Sequence, residues 1–275
     1  MKLGISSYTF GWAVGVRGHE PPEPLDEIGL LQKAHEFGVS LLQIGDNLPL
    51  ETFDQLRLQN LAQEAAKNGI ELEVGARNLT LERLYLYCEI CRNVGASLLR
   101  FVIDDEDYHP APEEVIPLLQ EAARHLERYG ITLGIENHDR FAARNLREMI
   151  VSANSDFIGV CLDTANSLGA GEGLNEIVPL LAPYTVNLHA KDFTIARHAH
   201  KMGFVVNGAP AGAGMMNLPL VLEALEPYHR CRSLILELWT SPEDSLEATI
   251  EKEAQWARQS IDYLKSLPIK KQPVI

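Results

Sequence analysis

Four residues able to bind a metal ion each close a short apolar stretch in the second half of the chain. They are Glu136 in ITLGIENHD, Asp163 in FIGVCLDTAN, His189 in TVNLHAKD and Glu237 in SLILELW. Each stretch is rich in β-branched and aliphatic residues without the alternation of a half-exposed strand. Such a run fits a parallel strand buried on both faces. Four parallel strands that each end in a ligand aim four side chains at one place. Three carboxylates and one imidazole form a hard, oxygen-rich donor set. It suits one divalent cation, manganese first, with magnesium, cobalt or zinc as alternatives, better than a thiolate-lined structural zinc site does.

Further polar groups fall near the same strand ends. Asp46 closes SLLQIGDN, and Arg77 and Asn78 close IELEVGARN. His138 shares a face with Glu136, because side chains alternate along a strand; it is placed around the ligands rather than among them. Lys191 shares a face with His189 one step nearer the strand end, either as a donor to a substrate oxygen or in a salt bridge with Asp163, Asp46 or Asp192. Arg100 is unusual in the apolar run SLLRFVID, and points either inward to a carboxylate or outward with its stem buried. Phe10 and Trp12 follow the first strand in a Gly- and Pro-rich segment, where they either wall a small polar substrate or cover the mouth of the fold. The segment TIARHAHKMGFVVNGAPAGAGMMN holds Arg197, His198, His200 and Lys201. Long structureless segments in compact domains are usually functional, so residues 194–216 are expected to close over substrate with Arg197 facing inward.

Positioning these groups requires eight strands alternating with helices over nearly the whole chain. That alternation argues for a parallel sheet. Eight such units in 275 residues fit one (β/α)₈ barrel of the TIM type, a single domain over 1–275, better than an open doubly wound sheet. Residues 268–275, PIKKQPVI, read as a loose tail or a contact to another subunit of a homo-oligomer. The chain carries 24 Lys and Arg against 38 Asp and Glu, a formal net charge of −14, which disfavours nucleic acid as a partner. No apolar run approaches the ~20 residues that span a bilayer, and the N-terminus lacks a signal-peptide h-region. With Cys88, Cys91, Cys161 and Cys231 read as reduced thiols, the expectation is a cytoplasmic protein without a membrane partner. Cys88 and Cys91 lie one helical turn apart and read as buried packing. The glycines of SLGAGEGL do not match a dinucleotide-binding turn.

The order Glu, Asp, His, Glu, carried by IENH, LDTAN, HAKD and LELW, resembles the xylose-isomerase-like sugar isomerases and epimerases. The resemblance spans nearly the whole chain. It implies a single-metal barrel acting on a small ketose or keto-sugar through a metal-stabilised enediolate. It also implies that Glu136 and Glu237 both bind the metal and transfer protons on opposite faces of the substrate, with Asp163 and His189 as ligands only. Lys191, Asn166, His138, Arg197, Asp46 and Trp12 are the expected substrate contacts. One departure bears on the reaction. Many ketose epimerases of this superfamily carry a His three residues after the sixth-strand Asp, where this chain has Asn166. Asn orients a hydroxyl but does not shuttle a proton at neutral pH. IENHDRF and GAPAGAG are similar to the 3-oxoisoapionate decarboxylases, so the alternative is a lyase that decarboxylates a 3-oxo sugar acid or dehydrates a keto-sugar. The balance at this point favours the isomerase or epimerase. The multi-zinc apurinic endonucleases of the same fold are disfavoured, because the first four strands end in SSY, GDN, ARN and VID, without a histidine.

Overall fold

The computed structural model describes residues 1–269. Most of the expected loose tail, residues 270–275, lies outside them; Ile269 packs against the core. Eight parallel strands close a barrel: β1 (Lys2–Ser6), β2 (Leu41–Ile44), β3 (Glu71–Arg77), β4 (Leu98–Val102), β5 (Thr132–Glu136), β6 (Ile158–Asp163), β7 (Thr185–Ala190) and, after a hairpin of β8 (Asp192–Arg197) and β9 (Phe204–Ala209), β10 (Ser233–Leu236). The order around the barrel is β1-β10-β7-β6-β5-β4-β3-β2. This is the expected (β/α)₈ architecture.

The strands read as unbroken apolar runs because both faces are covered. Every residue of β4, β5, β6, β7 and β10 is buried. The helices between them begin and end on local signals. Asp26, Asp54, Thr80 and Ser245 each accept a first-turn N–H from Gly29, Arg57, Arg83 and Ala248, satisfying donors that the helix cannot. The helices Leu81–Val94 and Pro112–Tyr129 stop at Gly95 and Gly130, both left-handed, the conformation in which glycine carries no Cβ penalty. Cys88 and Cys91 are buried and free, as expected. No helix among the described residues is long and apolar enough to cross a membrane.

Two expectations are corrected. The segment after β7 is not a structureless cover. Residues Asp192–Arg197 and Phe204–Ala209 pair antiparallel, with Arg197 opposite Phe204 at the far end. Exposed apolar residues at Ile195, Phe204 and Val206 leave these strands without an apolar-in, polar-out alternation. The base of the hairpin is fastened by Asp192, whose carboxylate accepts N–H bonds from Gly212, Gly214 and Met216 at 2.9–3.0 Å. A Cβ at Gly214 would stand 2.2 Å from Asp192 Oδ1, so glycine is required for that turn to close. The second correction concerns Phe10. It stacks on Phe37, ring centroids 6.0 Å apart, and is buried in the core rather than walling a substrate.

Candidate metal centre

Strand geometry brings the four expected ligands together. Glu136 and Asp163 end β5 and β6, His189 is the penultimate residue of β7, and Glu237 follows β10 directly. Asp163 aligns with His189 in the ladder. His189 Nδ1 lies 3.3 Å from Glu237 Oε1, 3.6 Å from Glu136 Oε2 and 3.9 Å from Asp163 Oδ2. Asp163 and His189 have no solvent exposure and lie beneath a pocket of about 240 Å³.

The surroundings are strongly charged and mostly paired. Lys191 Nζ lies 2.9 Å from both Asp163 Oδ2 and Glu237 Oε2. Arg100 points inward, with Nε on Glu136 and Nη1 2.7 Å from Asp46 Oδ1. Gly75 pairs with Arg100 in the ladder, and a Cβ there would meet Arg100 Cδ at 3.4 Å, an ordinary contact. Asn166 Nδ2 donates to Glu136 Oε1 at 2.6 Å. Asp163 Oδ1 accepts the Ala165 and Asn166 N–H groups, so the turn after β6 holds this carboxylate in place. Burial alone would raise the Glu237 carboxyl, but His189, Lys191 and Arg100 draw it down to about 2. Burial likewise opposes the Asp46 charge, and Arg100 with the Tyr8 hydroxyl at 2.8 Å holds it below the usual carboxylate range. Burial disfavours the Lys191 ammonium, and Asp163 and Glu237 outweigh that and raise it.

The donor set fits a divalent cation. Both ring nitrogens of His189 are buried and have no hydrogen-bond partner among the described residues, although three carboxylates surround Nδ1. Buried polar atoms are nearly always satisfied, and an imidazole left open among acidic oxygens is a donor arrangement that suits a cation. Ligand atoms of Asp163, His189 and Glu237 lie within 4.8 Å of one another, and those of Glu136, Cys161 and His189 form an overlapping group. Cys161 was not expected there. Burial, then Glu136, pushes its thiol well up, and it hydrogen-bonds Asn187 Oδ1 at 2.9 Å. The available donors are therefore oxygens and one imidazole.

Of the expected substrate contacts, Asp46, His138, Asn166 and Lys191 line the pocket. Trp12 does not; its indole Nε1 donates to Thr240 O at 2.8 Å and the side chain lines a neighbouring cavity. Arg197 is exposed at the hairpin tip, donating to Lys201 O and lying over Phe204, so the expected inward orientation is not found. Sequence reasoning missed Tyr8 and Trp239 and gave Arg77 no role, yet all three line the pocket. Trp239 was open to inference, since it stands two residues past Glu237 and shares its face.

Comparison with known proteins agrees with this geometry. The xylose isomerase-like TIM barrel family profile matches residues 31–267. A 3-oxo-isoapionate decarboxylase of Pectobacterium atrosepticum is 31% identical over 264 residues, covering 96% of this chain and 95% of that protein. D-psicose 3-epimerase with D-tagatose from Clostridium cellulolyticum H10 superposes with a TM-score of 0.71 at 16% identity, over 96% of this chain and 98% of the other. IolI protein with a bound zinc atom superposes at 0.70 and 18% identity, over 98% and 100%. The two solved structures speak for the fold, and the profile for descent: the chain belongs to the xylose isomerase-like TIM barrel family.

Proposed function

We propose that the protein is a divalent-cation-dependent lyase that decarboxylates a small 3-oxo sugar acid. The observation that carries this reading is the pairing of its two candidate bases. Glu136 is held by Arg100 and Asn166, and Glu237 by Lys191. An isomerase or epimerase needs a carboxylate free to remove a carbon-bound proton. A β-keto acid needs less from a base, because the bond that breaks joins carbon to a carboxylate. The extensive match to a decarboxylase supports the same reading.

Glu136, Asp163, His189 and Glu237 would hold the cation, with manganese the first choice for these oxygen donors. When bound, it supplies Lewis acidity at the substrate ketone. Lys191, at the pocket wall, and Arg77, whose nearest carboxylates Asp105 and Asp46 are 3.6 and 3.9 Å away, orient the anionic end of the substrate. As CO₂ leaves, the electron pair of the broken bond passes toward the ketone, and the new carbanionic carbon takes one proton from solvent. Asn166 orients a hydroxyl. The narrow pocket restricts the substrate to a small one.

Epimerisation of a ketose is the second reading, favoured because Glu136 and Glu237 both reach the pocket. Two measurements separate them. Decarboxylation predicts CO₂ release from a 3-oxo sugar acid and no deuterium uptake by ketoses in D₂O. Exchange beside a ketose carbonyl, with no CO₂ from a panel of 3-oxo acids, would overturn the lyase. Under the lyase reading Lys191→Met costs about 10- to 150-fold in kcat/KM, the worth of a lost charged hydrogen bond of roughly 1.5–3 kcal/mol.

A further inference from the structure

Beside the metal pocket lies a second cavity of about 550 Å³. It is bounded by the segment after β1, by β9 at Val206–Gly208 and by the segment Leu238–Ser241 after β10. Tyr8, Leu238 and Trp239 line both cavities, so the two share a wall. Its surface combines aromatic and polar groups. Trp12 is fixed by its indole bond to Thr240 O and by Glu253, whose carboxylate accepts the Trp12 and Ala13 N–H groups at 2.9 and 3.1 Å. Asn207 stands half-buried on the same wall.

We propose that this cavity binds a hydroxylated ring, a sugar lying next to the group held in the metal pocket. Rigid indoles offer flat apolar faces at low entropic cost, and the C–H faces of a pyranose match them. The ring hydroxyls would meet the Asn207 amide, which lines the cavity. A purely apolar ligand would cover the Asn207 amide without giving it a partner, at the cost of an unmet polar group. A cation would find Glu253 as the acid on this wall, and burial, which pushes that carboxyl up to about 7, disfavours its charge. An anion would approach a chain of formal charge −14 with no basic side chain among the described residues that line this cavity. The ring belongs either to an extended substrate, joined to the group in the metal pocket, or to a separate sugar molecule.

The test is saturation-transfer NMR on the full chain with methyl β-D-glucopyranoside, with cyclohexanol as the apolar control, before and after chelation. The expected result is glucoside binding that survives chelation and exceeds that of cyclohexanol. Val206→Trp, which fills the cavity from a half-exposed hairpin strand, removes the signal. Asn207→Leu weakens binding about 5-fold, the equivalent of one hydrogen bond of about 1 kcal/mol. Absence of transfer, equal binding of cyclohexanol, loss on chelation, or indifference to Val206→Trp would each overturn the proposal. Cellobiose then distinguishes the two sources. Contacts from both rings, one of them lost on chelation, mean an extended substrate; contacts from one ring only mean a separate sugar. Because the readout is binding, failure of the decarboxylase reading leaves this result interpretable, and the reverse holds too.

Discussion

Two polar layers cross the inside of the barrel, built largely by the same strands a few residues apart. The lower one joins Gln43, Glu73, Asn187, Ser233 and Cys161. Gln43 Nε2 and Asn187 Nδ2 donate to Glu73 Oε2 at 3.0 and 3.3 Å. Asn187 also donates to Ser233 Oγ and accepts from Cys161 Sγ and Gln43. The upper layer stands two residues further along β6 and β7, at Asp163 and His189, and four further along the β10 segment, at Glu237. It replaces amides with full charges, compensated by Arg100 and Lys191, and it leaves both His189 nitrogens without hydrogen-bond partners among the described residues. Both layers are buried, so burial does not distinguish them; the presence of open donor atoms does. A satisfied polar layer completes itself, whereas one with open atoms is arranged for something that enters.

The largest effect that the contrast predicts is at His189. His189→Ala is expected to lower metal affinity by more than ~100-fold, since even residues that only support a ligand are worth 10- to 100-fold, and to reduce activity to background. Metal content after dialysis checks it. The fold is expected to persist through chelation, because the core does not depend on the metal and Arg100 and Lys191 already neutralise much of the acidic cluster. Retention of a full equivalent of metal by the folded variant would show that His189 is an ordinary interior residue and would erase the difference between the layers.

The upper layer was legible in the sequence and the lower one was not. Glu136, Asp163, His189 and Glu237 each follow an apolar run, and their repetition on consecutive strands announces a shared centre. Gln43, Glu73 and Asn187 are single polar residues inside strands more than a hundred positions apart at the extremes, and only barrel closure between β1 and β10 brings them together. Arg100 was visible as an anomaly in an apolar strand, yet its direction is set by Asp46 and Glu136, carboxylates that only the folded barrel brings beside it. The hairpin β8–β9 was missed because its outer half exposes apolar Ile195, Phe204 and Val206 beside Arg197, so no apolar-in, polar-out alternation marks its strands. The eight-fold alternation of strand and helix, by contrast, rests on local signals such as Gly95 and Gly130, which hold whatever the tertiary context.

A middle-sized effect sharpens the lower layer. Burial pushes the Glu73 carboxyl up to about 7, against the pull of Ser233 and Gln43, from 4.5 in the unfolded chain. The native state therefore holds this proton more tightly than the unfolded state does. Its contribution to stability is complete below pH 4.5 and is lost as pH rises from there through about 7. Glu73→Gln imitates the protonated form. The variant is expected to match the parent near pH 4 and to exceed it at pH 8 by up to about 3 kcal/mol, taking ~1.4 kcal/mol per pKa unit. Urea unfolding at both pH values measures this. Glu253, also raised to about 7 by burial, leaves part of the pH dependence in place. Equal stabilities at pH 8 would mean that the lower layer holds a charged carboxylate and is not the neutral counterpart of the layer above.

The smallest effect concerns an arginine that the sequence placed in the site. Arg197 and Arg100 are both cations near the mouth end of the barrel, but their surroundings differ. Arg100 is buried between Glu136 and Asp46. Arg197 is exposed, donates to Lys201 O at 3.1 Å and has its guanidinium 4.4 Å from the Phe204 ring centroid. Those contacts lie within the hairpin, so removing them disturbs neither polar layer. Arg197→Ala is expected to change stability by less than ~0.5 kcal/mol, as substitutions at exposed positions do, and kcat/KM by less than about twofold, which is the same free-energy scale. A rise in KM of about tenfold at unchanged metal content would point the other way. Such a rise requires the hairpin tip to reach the substrate, which the fastened base at Asp192 allows only if the outer part of β8 and β9 bends inward. That result would make the hairpin a moving wall of the pocket, and the upper layer would then owe part of its selectivity to a segment that lies outside it at rest.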